Sequence, residues 1–199
     1  MTTIAELPAG FADKVLSAQS TFRSVMSAMA RPGSVQPVAV SVGAPHGMMR
    51  GTPAIALTLF DHDTPIWLDG AMAATSEVAR WLKFHTSAPL VDGASIASFA
   101  LIGDAKNLPA LDRFAFGSNE YPDRSTTMIL QVESLSQGPA YQLRGPGIDG
   151  VSTLRATIEP RDLFARLAIN ATLFPRGIDV VLVDDASIVA IPRTTRLES

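Results

Sequence analysis

The chain has 199 residues, of which 47% are hydrophobic and 18% charged, as is typical of one well-packed domain and not of a disordered protein. A net charge of −3 without any basic run argues against unaided nucleic-acid binding, and the lack of cysteine excludes disulfides, zinc–thiolate sites and cysteine-bound iron–sulfur clusters in this chain. No basic segment followed by an apolar one opens the sequence, and its apolar runs fall short of a membrane span, so we expect a cytoplasmic protein with no membrane partner.

The N-terminal part of the chain is predicted to form a long helix over residues 11–30. Apolar residues recur there at alternating intervals of four and three, which is the repeat of one helical face: Phe11, Val15, Ala18, Phe22, Val25 and Met29. We expect this face to pack on the core. The segment 31–33, Arg-Pro-Gly, ends the helix because proline cannot continue it and glycine tolerates the backbone that leaves it.

The next elements are short. In residues 34–42, β-branched residues recur at alternate positions and are interrupted by Pro37. Because proline lacks a backbone hydrogen-bond donor, this segment is predicted to be an edge strand. Residues 52–60 are apolar all round, which favours a short buried helix and leaves a strand as the competing prediction. A brief strand at 66–68 and a helix at 77–86 follow.

Most strands of the chain are predicted in its second half. Strands are expected at 95–103, 125–132, 140–144, 151–158, 178–183 and 187–191, with a short helical turn at 107–114 and a helix at 161–173. The last two strands are predicted to form a hairpin around the turn 184–186. In that helix we expect Leu163, Leu167 and Ala168 to face inward. Interleaved helices and strands with hairpins predict an α/β fold, a mixed β-sheet flanked by helices, in a single domain spanning 1–199.

Two turn-rich loops are candidates for functional positions. Strands 125–132 and 140–144 are predicted to form a hairpin, preceded by the polar loop 117–125 and followed by the Gly-Pro-Gly turn of the loop 145–150. Charged and aromatic residues on loops held by rigid strands are often functional. A tight turn is the simpler interpretation of Gly-Pro-Gly, because a phosphate loop would also need a helix start and a following Lys, Ser or Thr.

The residues that usually carry catalysis form no recognisable constellation. His46, His62 and His85 lack metal spacing, and the ligand-rich segment 61–63 is better interpreted as a solvated turn because adjacent residues on a tight turn point apart. The lysines are few, and neither Lys106 nor the other two stands out as a Schiff-base residue. We therefore predict no metal site and no cofactor, and the sequence assigns no catalytic residue.

Arginine is the remaining signal, since 13 of the 16 basic residues are Arg, and several of them, Arg193 included, lie at the ends of elements beside turns. Arg binds carboxylates and phosphates through a bidentate fork and suits interfaces with charged partners. The candidates for ligand or partner binding lie at the ends of elements or in the loop 117–125: Arg31, Tyr121, Asp123, Arg124 and Arg144. A local ion pair between Asp123 and Arg124 is the plainer alternative for these two residues.

Six segments, in the right order along nearly the whole chain, resemble the PhnH family of the bacterial carbon–phosphorus lyase system: 22–33, 57–65, 117–130, 145–148, 170–179 and 191–195. The resemblance implies a cytoplasmic subunit that assembles with G, I and J subunits into a core complex. With related components it would support formation of a ribose 1-phosphonate 5-triphosphate from ATP and an alkylphosphonate. It also implies a homodimer, and a fold similar to that of pyridoxal-phosphate-dependent transferases but without the cofactor.

Two functional hypotheses follow. In the first, the chain is an accessory subunit whose loops 117–125 and 145–150 form a partner or dimer surface. In the second, it is a stand-alone nucleotide- or phosphonate-binding enzyme in which Arg31, Arg124 or Arg144 holds phosphate. The family supplies no catalytic residues to transfer to this sequence.

Overall fold

The computed structural model describes residues 7–38 and 41–198. Its helices are α1 (Lys14–Ala30), α2 (Gly51–Leu59), α3 (Gly70–Ala73), α4 (Ser76–Thr86) and α5 (Leu163–Ala171). Its strands are β1 (Gln36–Pro37), β2 (Ile66–Leu68), β3 (Phe99–Ile102), β4 (Thr127–Gln131), β5 (Ala140–Arg144), β6 (Ser152–Arg155), β7 (Asp179–Val183), β8 (Ser187–Ile191) and β9 (Arg196–Glu198).

The larger sheet has six strands in the order β1-β8-β7-β4-β3-β2. Within this sheet, the four consecutive strands β7, β4, β3 and β2 are parallel to one another, whereas β8 pairs with β7 and with β1 in the antiparallel sense. The predicted α/β class with a mixed sheet is therefore confirmed, as is the β7–β8 hairpin. Pro37 lies on an edge strand, as predicted, and positions 39 and 40 of that prediction lie outside the described residues.

Helices cover one face of this sheet, and a second sheet covers the other. On the first face, buried residues of α1, α2 and α4, including Val25, Ile55 and Trp81, form one core cluster with alternate residues of the strands. On the opposite face lie α5 and the antiparallel sheet β6-β5-β9, with Leu143 and Leu163 fully buried. Strands covered on both sides read as continuous apolar runs, which explains the sequence of β4 and β7.

The predicted hairpin between 125–132 and 140–144 is wrong. β4 lies inside the six-stranded sheet, while β5 pairs with β6 and β9 in the smaller one. Four of the five residues of β4 are buried, but only Leu143 is buried in β5. This difference is the signal that sequence reasoning missed, because hairpin partners on one half-buried sheet should share the same alternation.

Two helices present different faces from those predicted. In α1 the buried residues are Thr21, Val25 and Ala28, whereas Val15 is 65% exposed and Phe22 49% exposed, so the predicted core face is wrong for these two. In α5, Leu163 and Leu167 face inward as expected, but Ala168 is exposed. The third buried residue of α5 is Asn170, whose side-chain amide bonds the backbone of Ile178 through both its oxygen and its nitrogen, each at 2.9 Å.

The helical prediction for 52–60 is confirmed by α2. Its first residue, Gly51, lies so close to the chain after β7 that an added Cβ would stand 2.4 Å from the carbonyl oxygen of Asp184. This close approach brings the start of α2 onto the sheet. Within the described residues, no helix has the length and apolarity needed to cross a membrane.

Candidate functional site

Ligands most often bind α/β sheets at the carboxyl ends of the parallel strands. In this chain, the polar side chains at the ends of β2 and β4 form hydrogen bonds with other parts of the chain itself. Asp69 follows β2 and is 5% exposed. Its carboxylate accepts hydrogen bonds from the backbone N–H groups of Met72, Gly103 and Asp104, each at 2.8 Å. Asp69 therefore caps α3 and fixes the turn after β3, a structural role.

Gln131, at the end of β4, has a similar role. Its Oε1 accepts from the backbone N–H of Met49 at 2.7 Å and from the hydroxyl of Thr52 at 2.8 Å. Its Nε2 donates to the carbonyl of Gly47 at 3.1 Å. The side chain thus joins the sheet to the loop before α2, and both polar atoms of its amide are already hydrogen-bonded within the chain.

The loop 117–125 lies at the opposite, amino-terminal edge of the parallel strands, immediately before β4. It folds back on itself, since the backbone N–H of Tyr121 donates to the hydroxyl of Ser118 at 2.9 Å. Gly117 has a φ of +70°, and a Cβ there would stand 2.9 Å from two backbone oxygens of the same loop. The turn therefore requires glycine at this position.

Arg193, just after β8, fixes this loop to the rest of the edge. Its guanidinium forms a bidentate ion pair with Asp179 at the start of β7, and both side chains are largely buried. It also donates to the carbonyls of Pro122 at 2.8 Å and Pro175 at 3.3 Å, and to the hydroxyl of Ser125. Sequence reasoning noticed Arg193 only as an arginine at the end of an element, whereas the structure shows that it ties three segments together.

Arg124 is oriented differently from the prediction. Its guanidinium carbon lies 4.2 Å from the centroid of the Tyr121 ring, a cation–π stack on an exposed aromatic side chain. Across the described residues, no ion pair joins Arg124 to Asp123, so the local pair expected as the plainer alternative is wrong. The guanidinium edge remains available to a ligand or partner.

Arg124 borders two cavities. The larger, of about 480 Å³, lies where β3 and β4 begin and includes Asp123 and the hydroxyl residues Ser95, Ser98, Ser125 and Thr127. The smaller, of about 380 Å³, lies beside Phe116 and Tyr121. The serines were not predicted, but because β3 and β4 are parallel neighbours, residues that precede these strands meet at one edge. That pairing is the signal that could have identified them.

Arg31 and Arg144 lie outside these two cavities. Arg31 ends α1, its backbone N–H donates to the carbonyl of Ser27 at 3.0 Å, and its side chain is exposed. Arg144 ends β5 and donates to the carbonyl of Gly150 at 3.3 Å, within the loop 145–150 that joins β5 to β6. The structure therefore does not bring the three candidate arginines together in either cavity.

The end of α1 and the loop 145–150 contact each other directly. Gly147 has a φ of +82°, and a Cβ on it would stand 2.2 Å from the carbonyl oxygen of Ala30 and 3.0 Å from Pro32. The Gly-Pro-Gly segment is thus a hairpin turn packed against the end of a helix, as its simpler interpretation predicted. Arg31 lies directly beside this packed turn.

The histidines are structural or solvated. His85 contacts the carbonyl of Pro8 at 3.1 Å and lies against the ring of Trp81. His62 and Asp63 form a pair 3.3 Å apart with both side chains more than three-quarters exposed, which confirms the solvated turn at 61–63. In the part of the chain that the structure describes, no three His, Asp or Glu residues are grouped as metal ligands.

Comparison with known proteins gives a consistent result. A family model described as "Bacterial phosphonate metabolism protein (PhnH)" matches residues 9–198. The chain is 42% identical to the α-D-ribose 1-methylphosphonate 5-triphosphate synthase subunit PhnH of Rhizobium meliloti (strain 1021), over 100% of this chain and 99% of that protein. It is 30% identical to HtxG of Stutzerimonas stutzeri, over 98% of this chain and 95% of that protein, whose name refers to a C–P lyase subunit.

Proposed function

Because the chain belongs to the PhnH family of bacterial phosphonate metabolism proteins, we propose that it is a subunit of a carbon–phosphorus lyase core complex in phosphonate catabolism. In this role it supports formation of α-D-ribose 1-methylphosphonate 5-triphosphate from ATP and a phosphonate. The observation that carries the proposal is the 42% identity over the full length to a synthase subunit. Its partners are G, I and J type subunits, and its compartment is the cytoplasm.

The role is accessory. Three buried polar side chains at the sheet, Asp69, Gln131 and Asn170, are committed to hydrogen bonds that hold the fold. This supports a subunit that contributes shape and surface to a larger machine. As parts of the same proposal, the chain is one PhnH-like domain over 1–199, and its fold is similar to that of pyridoxal-phosphate-dependent transferases without their cofactor.

The subunit contact includes Arg31, Arg144 and the loop 145–150. Arg31 is exposed at the end of α1, and the loop is held rigidly against that end by the close approach of Gly147 to Ala30. A rigid surface loses little conformational entropy when it binds, which favours it as an interface. Arginine is also enriched at protein interfaces.

A homodimer forms through α1. Val15, Gln19, Phe22 and Met26 form one exposed stripe on the side of α1 turned away from the core, and its apolar members are 49–65% exposed. Their spacing of four, three and four is that of a coiled-coil seam, and it is symmetric about its centre. Two antiparallel copies would place Val15 beside Met26 and Gln19 beside Phe22, which is the self-complementarity that a two-fold interface requires.

Co-purification with the other core subunits tests the assembly role. We expect the untagged chain to be retained by tagged partners, and Arg31→Glu to reduce its recovery at least about ten-fold, as loss of a hot-spot arginine does. Arg80→Glu, at another exposed arginine, on α4, is the matched control and should leave recovery unchanged. A chain that never associates with the other subunits would contradict the proposal.

Light scattering of the isolated chain tests the dimer separately. Phe22→Ser should convert the dimer to a monomer that remains folded, because the side chain is half exposed in the single chain and lies outside its core. Phe84→Ser replaces a 72% exposed phenylalanine on α4 and serves as the control. Equal masses for the two variants would refute the α1 interface.

The alternative, a stand-alone enzyme with an arginine-lined anion site, has less support. It needs several arginines to converge, whereas Arg31 and Arg144 lie beside the loop 145–150 and only Arg124 borders the two cavities at the start of β4. Calorimetric titration of the isolated chain with ATP tests it directly. Binding that is lost in Arg31→Ala would favour this alternative.

A further inference from the structure

The polar cavity beside Arg124 is lined by one positively charged and one negatively charged side chain, and neither forms an ion pair within the described residues. Arg124 and Asp123 border it together, and within the described residues they form no ion pair with each other or with a third side chain. Adjacent side chains of opposite charge that stay apart around one cavity offer two separate charged subsites. The cavity volume, about 480 Å³, is within the range of small-molecule sites.

The first subsite suits an oxyanion. The stack on Tyr121 fixes the plane of the Arg124 guanidinium and leaves its N–H groups at the edges, where they can bind a carboxylate, phosphate or phosphonate in a bidentate manner. A lysine would lack this planar fork. Stacking therefore orients the group before any ligand arrives, which reduces the entropy lost on binding.

The serines add neutral donors to the same subsite. The hydroxyl of Ser125 accepts a hydrogen bond from Nη2 of Arg193, so its own proton can be donated to a ligand. The hydroxyls of Ser95 and Ser98 make no hydrogen bond to any described residue, and both residues border the cavity. Three hydroxyl donors and one guanidinium form a set suited to a tetrahedral oxyanion with several acceptor oxygens.

The second subsite suits a cation. The Asp123 carboxylate would repel a simple dianion at Arg124, but it would attract an ammonium group carried by the same ligand. A ligand with both charges is neutral or nearly so, and it matches both side chains at once. A positively charged group also satisfies carboxylate oxygens that otherwise face only water.

We propose that this cavity binds a small zwitterion with a tetrahedral oxyanion at one end and an ammonium group at the other, of the aminoalkylphosphonate class. The oxyanion contacts Arg124 and the serines, and the ammonium contacts Asp123. The choice of phosphonate over other oxyanions rests on the proposed function, whereas the requirement for an ammonium group rests on Asp123 alone. Binding is a property of the isolated chain and needs no other subunit.

Titration of the full-length, ¹⁵N-labelled chain by NMR tests the site with three probes: 2-aminoethylphosphonate, ethylphosphonate and inorganic phosphate. We expect saturable shifts of the backbone amides of 95–98 and 123–127, with a dissociation constant for the amino compound on the order of 1 mM, as suits so small a ligand. Ethylphosphonate and phosphate should bind about five-fold more weakly, because they lack the exposed ion pair with Asp123.

The variants separate the two subsites. Arg124→Gln should weaken all three probes by about ten-fold or more, the effect of losing charge-assisted hydrogen bonds. Asp123→Asn should weaken only 2-aminoethylphosphonate and abolish its advantage over ethylphosphonate. Glu120→Gln and Arg113→Gln, exposed neighbours outside the cavity, are the matched controls and should bind as the unmodified chain does.

Equal affinity for 2-aminoethylphosphonate and ethylphosphonate would overturn the ammonium subsite. An unchanged dissociation constant in Arg124→Gln, or no saturable shift of the unmodified chain up to about twenty times the expected dissociation constant, would overturn the whole site. Neither result affects co-purification with the other subunits, so failure of this inference is distinguishable from failure of the proposed function. Conversely, a chain that binds the zwitterion but not the other subunits would uphold the site alone.

Discussion

Replacement of Arg193 by Gln should strongly destabilise the protein, because it breaks a buried ion pair. The side chains of Arg193 and Asp179 are 13% and 15% exposed, and their bidentate pair is joined by hydrogen bonds from Arg193 to Pro122, Pro175 and Ser125. Removing the Arg193 guanidinium leaves the Asp179 carboxylate in a poorly hydrated position without a counter-charge. The cost therefore includes desolvation as well as lost hydrogen bonds.

The expected loss is about 3–5 kcal/mol in the free energy of unfolding, the range for breaking one partner of a buried pair. Domains of this kind have a total stability of about 5–15 kcal/mol, so the variant should lose a large fraction of it. At about 2–4 °C per kcal/mol for a chain of this length, the melting temperature should fall by roughly 10 °C. Arg50 and Asp185 form an exposed pair, 61% and 58% accessible, and Arg50→Gln should cost less than about 1 kcal/mol.

Urea unfolding monitored by circular dichroism measures both variants. The midpoint should fall while the slope with denaturant stays constant, since the surface exposed on unfolding is unchanged. In the double variant Arg193→Gln/Asp179→Asn, the unpaired carboxylate is removed, so its loss should be well below the sum of the two single losses. A cost for Arg193→Gln no greater than that for Arg50→Gln, or additive single losses, would refute this reasoning.

Three further substitutions probe the other supports of the fold, each measured by the same unfolding assay. Asn170→Leu leaves both backbone groups of Ile178 unpaired and should cost about 3 kcal/mol, whereas no loss would mean that water replaces the amide. Gln131→Leu should cost about 2 kcal/mol and increase hydrogen exchange of the loop before α2; unchanged exchange there would contradict the anchoring role. Gly51→Ala should cost about 1–3 kcal/mol because the added methyl meets the carbonyl of Asp184, and a neutral result would show that the chain after β7 yields freely.

Local patterns were sufficient for most elements of the fold. The helix over 52–60, the strand at 66–68 and the hairpin around 184–186 follow from apolar runs, turn residues and β-branching, which act over a few neighbouring positions. The edge position of Pro37 follows from its missing donor. These features depend on covalent geometry and burial of adjacent residues, so the sequence displays them directly.

Pairing between distant segments was not predictable in the same way. Residues 125–132 and 140–144 are close in sequence and are predicted to pair, but the strands that they form, β4 and β5, lie in different sheets. The same limit explains the face of α1, where Val15 and Phe22 fit an apolar repeat as well as Val25 does. Helical periodicity identifies apolar stripes, but only the packing against the sheet decides which stripe becomes the core.

The sequence by itself determined the α/β class, the order of most elements and the family, because these depend on composition, local periodicity and short motifs. Only the tertiary structure decided that Arg124 stacks on Tyr121 without pairing with Asp123, that Arg193 ties three segments together, and that serines before β3 border the same cavity. The physical reason is that a binding site is a set of directions in space. Those directions are fixed when parallel strands bring distant loops to one edge of the sheet.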